Sequence, residues 1–326
     1  MTADTAYFWE NGGEGVRILN YRGMDSLAVV PEEIDGQAVT ELAPYLFSAH
    51  RPPDAAGCPG GAWQSGTGER ITEEEALSLP EVKGGALEEL RLPRTLRRVG
   101  AYGFYNCGRL KKLELYSTTL DWGPGVFTGC LGVQEMVIHV DESERSCFKE
   151  ILAELRQTVT VDYDGPEKGR LIFPEFFEEA VENTPARILV TNTHGCGQKY
   201  RNAFVRTRFQ FQEYDSLFPH VQIQEPEDVV IALAMGRLMY PCELTGRYRE
   251  QYRKYLTDHR VSAACRAAVQ DDAEGLIWLM EHIAYDASDL NAVIEAAGRR
   301  GSPGAVSYLM DRAGEGKREK RRRFVL

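Results

Sequence analysis

The residues in this chain best suited to chemistry are His194 and Cys196, set in the run His194-Gly195-Cys196-Gly197. A thiolate activated by a neighbouring imidazole is a nucleophile, and such a pair would make a thiol-dependent enzyme. Two features weigh against that reading. Residues two apart on a loop rarely reach nucleophile-to-base geometry, and no Asp or Asn is placed to orient the ring. The glycines read more simply as the corners of a tight turn.

Metal chemistry lacks its spacing. Histidines stand at 50, 139, 194, 220, 259 and 282 with no His-x-x-x-His among them, and the seven cysteines contain no Cys-x-x-Cys. No Walker loop or nucleophile elbow occurs, and Gly195-x-Gly197 lacks the third glycine of a dinucleotide site. The sequence therefore assigns no catalytic residue, no metal ligand and no cofactor. An odd cysteine count without close pairs suits a reducing compartment.

The strongest electrostatic feature is the run "KREKRRR" from Lys317 to Arg323. It gives residues 317–326 a charge of +5 and leaves −16 on the other 316 residues of a chain whose net charge is −11. An acidic body repels nucleic acid over most of its surface, and the run has no interleaved aromatic rings for base stacking. It reads as a basic tail, disordered in isolation. No apolar stretch approaches the roughly 18 residues that cross a bilayer. Residues Met1 to Glu10 carry Asp4 and Glu10 but no basic residue, unlike a secretory signal, so a cytoplasmic location is expected.

What must position any functional side chain is a 23-residue beat. It joins Leu90, Leu113 and Met136, then Leu92, Leu115 and Ile138, then Leu110 and Val133. The same step links Gly100 to Gly123, Phe104 to Phe127 and Cys107 to Cys130. A unit of that length cannot bury its apolar edge alone and stacks on its neighbours. Leu-x-Leu sends two side chains to one face of a short strand, because strand side chains alternate. The Phe and Cys columns fill the far side of the interior, the cysteines as small buried apolar residues. Upstream, Val29, Pro31, Ile34, Gly36, Val39, Leu42 and Phe47 follow the same pattern.

The stretch "LEELRLPRTLRRVGAYGFYNCGRL" resembles the BspA-like class of leucine-rich repeats, with Gly103 where that family often has alanine. The next stretch, "LKKLELYSTTLDWGPGVFTGC", departs from it at Tyr116, a proline in the family, and at Trp122, an isoleucine. The resemblance covers about residues 16 to 140. It implies a solenoid of short strands and a role as an interaction module.

Phe47 and Phe104 are 57 apart, one period plus 34 residues, so a long insertion lies at about 48–86. A loop of that length is disordered or functional. Trp63 within it is either a partner anchor or a ring tucked against the solenoid edge. Glu73, Glu74 and Glu75 read as a solvated helix face.

After Ile138, Phe148, Ile151, Leu152 and Leu155 share one helical face, as a solenoid cap requires. Val159, Val161 and Tyr163 alternate like a strand. Pro174 is expected to open a helix over "PEFFEEAVEN", and Pro226 with Glu227 and Asp228 another. Tyr248, Tyr252, Tyr255 and Leu256 make a helical stripe. A weaker 30-residue step carries Ala267, Leu279 and Met280 to Ala297, Leu309 and Met310, with Asp272 and Ser302 at matching N-caps. It suggests an ankyrin-like or other α-solenoid element.

The sequence thus predicts an α+β chain. A leucine-rich repeat domain (1–165) is followed by a mainly helical domain (166–316) and the basic tail (317–326). Non-catalytic protein recognition, as adaptor or scaffold in a bacterial-type cytoplasm, is the expected role. The competing expectation is an enzyme whose site lies in residues 166–226 around His194 and Cys196 and whose repeats select the substrate, and a third is nucleic-acid association through the basic tail. If Leu90 and Leu92 point inward, alternation sends Glu89 and Arg91 outward, then Lys112, Glu114 and Tyr116, then Glu135, Val137 and His139. That face is the expected site for a protein partner, with Tyr116 as anchor. A merely solvated sheet face has the same pattern.

Overall fold

The computed structural model describes residues 5–52, 61–141, 145–183, 188–300 and 302–323. The chain is mixed α/β, 36% helical and 26% strand. It divides into two compact units, Met1–Leu217 and Phe218–Leu326.

The first unit opens with β1 (Thr5–Asn11), β2 (Val16–Gly23), β3 (Leu27–Val29), β4 (Glu33–Ile34), β5 (Gln37–Leu42), β6 (Ala62–Ser65) and β7 (Arg70–Ile71). Helix α1 (Glu73–Leu77) leads to β8 (Glu89–Arg91), β9 (Arg98–Val99), β10 (Lys112–Tyr116), β11 (Asp121–Trp122) and β12 (Glu135–His139). Helix α2 (Phe148–Glu154) precedes β13 (Val159–Asp164), β14 (Lys168–Phe173), β15 (Phe177–Asn183) and β16 (Ile188–His194). Helix α3 (Gly197–Arg201), β17 (Phe204–Val205), β18 (Arg208–Phe209) and α4 (Phe211–Ser216) complete it.

Two sheets carry the 23-residue units. One has the order β14-β13-β12-β10-β8-β3, and the other β11-β9-β5-β2-β1-β6-β7. Within the first, β3, β8, β10, β12 and β13 are parallel, with Leu113 opposite Leu90 and Met136 opposite Leu113. The Leu-x-Leu side chains all turn inward and are buried. Behind them Phe47, Phe104 and Phe127 form a ladder of stacked rings, with centroids 5.7 and 5.3 Å apart. The cysteine column does more than fill space. Cys107 Sγ donates to the Phe47 carbonyl at 3.1 Å and Cys130 Sγ to that of Phe104 at 3.0 Å, so each thiol ties its unit to the one before. Contact with the Cys130 thiol, and then burial, push the Cys107 thiol well above its ordinary value. Backbone geometry repeats as well: Tyr102 (φ 55°) and Gly125 (φ 64°), 23 residues apart, are both left-handed. A Cβ on Gly125 would lie 2.6 Å from the Tyr102 ring, so only glycine fits there.

The insertion adds structure to the sheet rather than forming a free loop. β6 pairs antiparallel with β1, and β7 with β6. Trp63 lies against Phe8 with centroids 5.0 Å apart, the position of a ring tucked on the edge. Glu73, Glu74 and Glu75 are exposed in the first turn of α1, the solvated helix face expected, and Glu75 also closes a capping box with Thr72. The Thr72 N–H and hydroxyl hold its carboxyl below the usual range. Residues 53–60 of the insertion lie outside the described residues.

Helix α2 buries Phe148, Ile151 and Leu152, as a cap does. Beyond it the sequence expectation needs correction. The "PEFFEEAVEN" segment is not a helix; Phe177–Asn183 is a strand paired antiparallel with Ile188–His194. Its apolar residues fit a helical period, but the partner "ILVTNTH" is rich in β-branched residues, and pairing overrides local preference. Mainly helical structure therefore starts later than residue 166. β14 joins the six-stranded sheet through β13, and the Tyr214 hydroxyl donates to the Ile172 carbonyl at 2.7 Å. The compact unit accordingly extends to Leu217, where the sequence reading drew its boundary at 165.

The second unit is α5 (Phe218–Gln224), α6 (Glu227–Met239), α7 (Gly246–Asp258), α8 (Arg260–Val269), α9 (Ala273–His282), α10 (Ala287–Arg300) and α11 (Pro303–Arg323). Helix α6 starts after Pro226, with Glu227 and Asp228 in its first turn, as expected. The 30-residue step recurs in hydrogen bonds. Asp272 N–H donates to the Ala267 carbonyl (2.9 Å) and Ser302 N–H to that of Ala297 (3.1 Å). Leu279 and Leu309 are both buried, but Met280 is buried while Met310 is exposed. Lys317–Arg323, read from sequence as a disordered tail, continue α11. Phe324, Val325 and Leu326 lie outside the described residues.

Candidate functional site

The outward face of the six-stranded sheet places all eight residues expected for partner binding in three rows. Register aligns Glu89, Lys112, Glu135 and Thr160 in one row, and Arg91, Glu114, Val137, Asp162 and Arg170 in the next. The third row is Tyr116, His139, Asp164 and Lys168. Adjacent strands lie roughly 4.8 Å apart, so the rows make one patch.

A chain of polar and charged side chains crosses five strands of this patch. Arg91 Nε is 3.5 Å from Glu114 Oε2, and Glu114 Oε1 is 3.0 Å from His139 Nε2. His139 Nδ1 is 2.7 Å from Asp164 Oδ2, and Asp164 Oδ1 is 3.7 Å from Lys168 Nζ. Both imidazole contacts are hydrogen bonds at once when both ring nitrogens carry protons. Tyr116 stacks on the imidazole, with centroids 4.5 Å apart and planes 25° from parallel. Partial burial, then the carboxylates of Glu32 and Glu114, push its phenol above the ordinary value, which favours the neutral hydroxyl. Flanking pairs are Lys112 with Glu135 at 3.6 Å and Arg170 with Asp162 at 2.7 Å.

The sequence reading found this face but not its far edge. Asp162, Asp164, Lys168 and Arg170 were missed because β13 stands 25 residues after β12 in register, outside the 23-residue beat. The alternation of Val159 and Val161 with Thr160 and Asp162 was the available signal.

His194 and Cys196 are not brought together. The His194 ring stacks on Phe177 (4.6 Å between centroids), and its Nε2 lies 3.2 Å from the exposed Glu179. Cys196, by contrast, is fully buried at the start of α3. The glycines around it serve close packing. A Cβ on Gly197 would lie 2.0 Å from the Pro174 carbonyl oxygen, and Gly195 holds a left-handed φ of 81°. A maleimide should accordingly label Cys196 only as fast as the native structure opens, far below the rate of a free thiol. Mass spectrometry of the modified peptide checks this, and rapid native labelling would mean an accessible thiolate.

What the sequence did not flag is Arg201, a guanidinium only 4% exposed. It donates to the carbonyls of Leu152 (3.0 Å), Leu155 (2.9 Å), Gln157 (2.7 Å), Gly197 (3.1 Å) and Pro174. It thereby caps the C-terminus of α2 and locks α3 beneath the strands that carry the face. Burial lowers it to about 10.

Among the described residues, no group of three or more His, Cys, Asp or Glu could hold a metal ion, and no helix is long and apolar enough to cross a membrane. Compared with protein-family models, curated proteins and solved structures, the chain gives no match.

Proposed function

We propose that the parallel stack is a leucine-rich repeat solenoid of the BspA-like class, and that the chain is a non-catalytic recognition module. It acts as an adaptor or scaffold in a bacterial-type cytoplasm. The outward sheet face binds a protein partner, and the helical unit carries an ankyrin-like helix pair. One observation supports this most: the Arg91–Glu114–His139–Asp164–Lys168 chain holds Tyr116 in a fixed stack. A side chain immobilised before binding loses little entropy on contact, which raises affinity without adding area. The mixed charges suit a protein surface better than a polyanion.

The Tyr116→Ala, Glu114→Lys double variant removes the anchor and reverses the charge beneath it. Loss of a central aromatic anchor costs about 2 kcal/mol or more, roughly a thirtyfold drop in affinity. Proteins captured from the native lysate by the wild-type chain should be lost by this variant, with its fold confirmed by circular dichroism. Unchanged capture removes the face from consideration.

A further inference from the structure

We infer that an apolar cavity between α8, α9 and α11 receives the Phe324-Val325-Leu326 segment of a second copy of this chain. The cavity holds about 160 Å³ and is lined by Ala268, Leu276, Ile277, Ala305 and Tyr308 among others. It is smaller than the roughly 300–1,000 Å³ of a small-molecule site, so one bulky apolar side chain is the occupant it fits. Small residues at Ala267, Ala268, Ala273 and Ala305 create the hollow, and Ile277 stands 41% exposed at its mouth.

Charge selects the segment. Asp271 and Asp272 also line the cavity, and residues 218–316 hold 15 acidic against 10 basic side chains. Phe324 is preceded directly by Arg321, Arg322 and Arg323. An apolar side chain following three arginines thus meets an apolar hollow beside two carboxylates.

Geometry makes the contact intermolecular. Gly304, at the start of α11, lies in the cavity wall, and the helix runs on to Arg323. At a rise of about 1.5 Å per residue, that end stands roughly 28 Å further along the axis. A chain cannot fill its own cavity without unwinding α11, whereas a second copy can. The resulting interface is head-to-tail, with different surfaces on the two sides.

Sedimentation velocity on the full chain tests this with two variants. Ile277→Glu spoils the cavity but keeps the segment. Phe324→Ala keeps both the cavity and every charge of the segment. The wild type should self-associate as concentration rises towards about 100 µM, the range that reports micromolar affinity. Each variant alone should associate at least about tenfold more weakly. An equimolar mixture of the two should recover a 1:1 complex, since Phe324→Ala offers the cavity and Ile277→Glu the segment. A wild-type monomer throughout this range overturns the inference. So does Phe324→Ala associating like the wild type, which would mean charge alone is at work, or a mixture that stays monomeric.

Discussion

Phe104→Ala should cost the first unit roughly 3–5 kcal/mol, the range for truncating a buried aromatic side chain. Phe104 is fully buried and is the middle ring of the ladder, stacked on Phe47 at 5.7 Å and on Phe127 at 5.3 Å. Removing it opens a hole between two rings that the carbonyl–thiol ties at Cys107 and Cys130 keep from closing. Collapse is what makes some cavities cheap, and here hydrogen bonds between units tie the backbone on both sides, Phe47 N–H to the Gly103 carbonyl at 2.8 Å and Phe104 N–H to that of Val126 at 3.1 Å. For a unit of this size, about 2–4 °C is lost per kcal/mol, so its melting midpoint should fall by roughly 6–20 °C. Phe127→Ala, at the same position one unit later and 2% exposed, should fall in the lower half of that range. Midpoints unchanged in both variants would break the register on which the stacked interior rests.

How much of this was legible in the sequence follows from how local each signal is. Leu90, Leu113 and Met136 sit in adjacent strands of one sheet because every unit repeats the same short-range pattern, and the outward positions of Glu114, Tyr116 and His139 follow from alternation alone. Pairing between distant segments leaves no such trace. Nothing near Trp63 says that it will meet Phe8, and nothing in "PEFFEEAVEN" says that "ILVTNTH" will pull it into a hairpin. The eight face residues were legible, but the chain of side chains on which Tyr116 stacks was not, because two of its five members, Asp164 and Lys168, come from strands outside the 23-residue beat. The cysteines were legible as buried volume. Their donor role was not, because it depends on a carbonyl a full unit away in the chain.

Arg201 is the extreme case, since its partners are backbone carbonyls and carry no side-chain signature at all. Two opposed effects decide what its removal does. Burying the charge is unfavourable, and it lowers the guanidinium from its ordinary value to about 10. Arg201→Met, similar in length and apolar, would relieve that cost. It would also strip a donor from the carbonyls of Leu152, Leu155, Gln157, Pro174 and Gly197. Each buried acceptor left without a partner costs about 1–3 kcal/mol, and Leu152 and Leu155 lie where a helix end has no internal donors to offer. Five acceptors outweigh one relieved charge, so Arg201→Met should destabilise the first unit by about 2 kcal/mol or more, with a midpoint lower by roughly 4–8 °C. Arg201→Lys should recover only part of the loss, because an ammonium has three donors and no planar fork to span carbonyls from separate segments. Thermal melts of the three proteins decide the matter. A methionine variant as stable as the wild type would mean that relief of the charge wins, and that α2 and α3 are held by their apolar contacts alone.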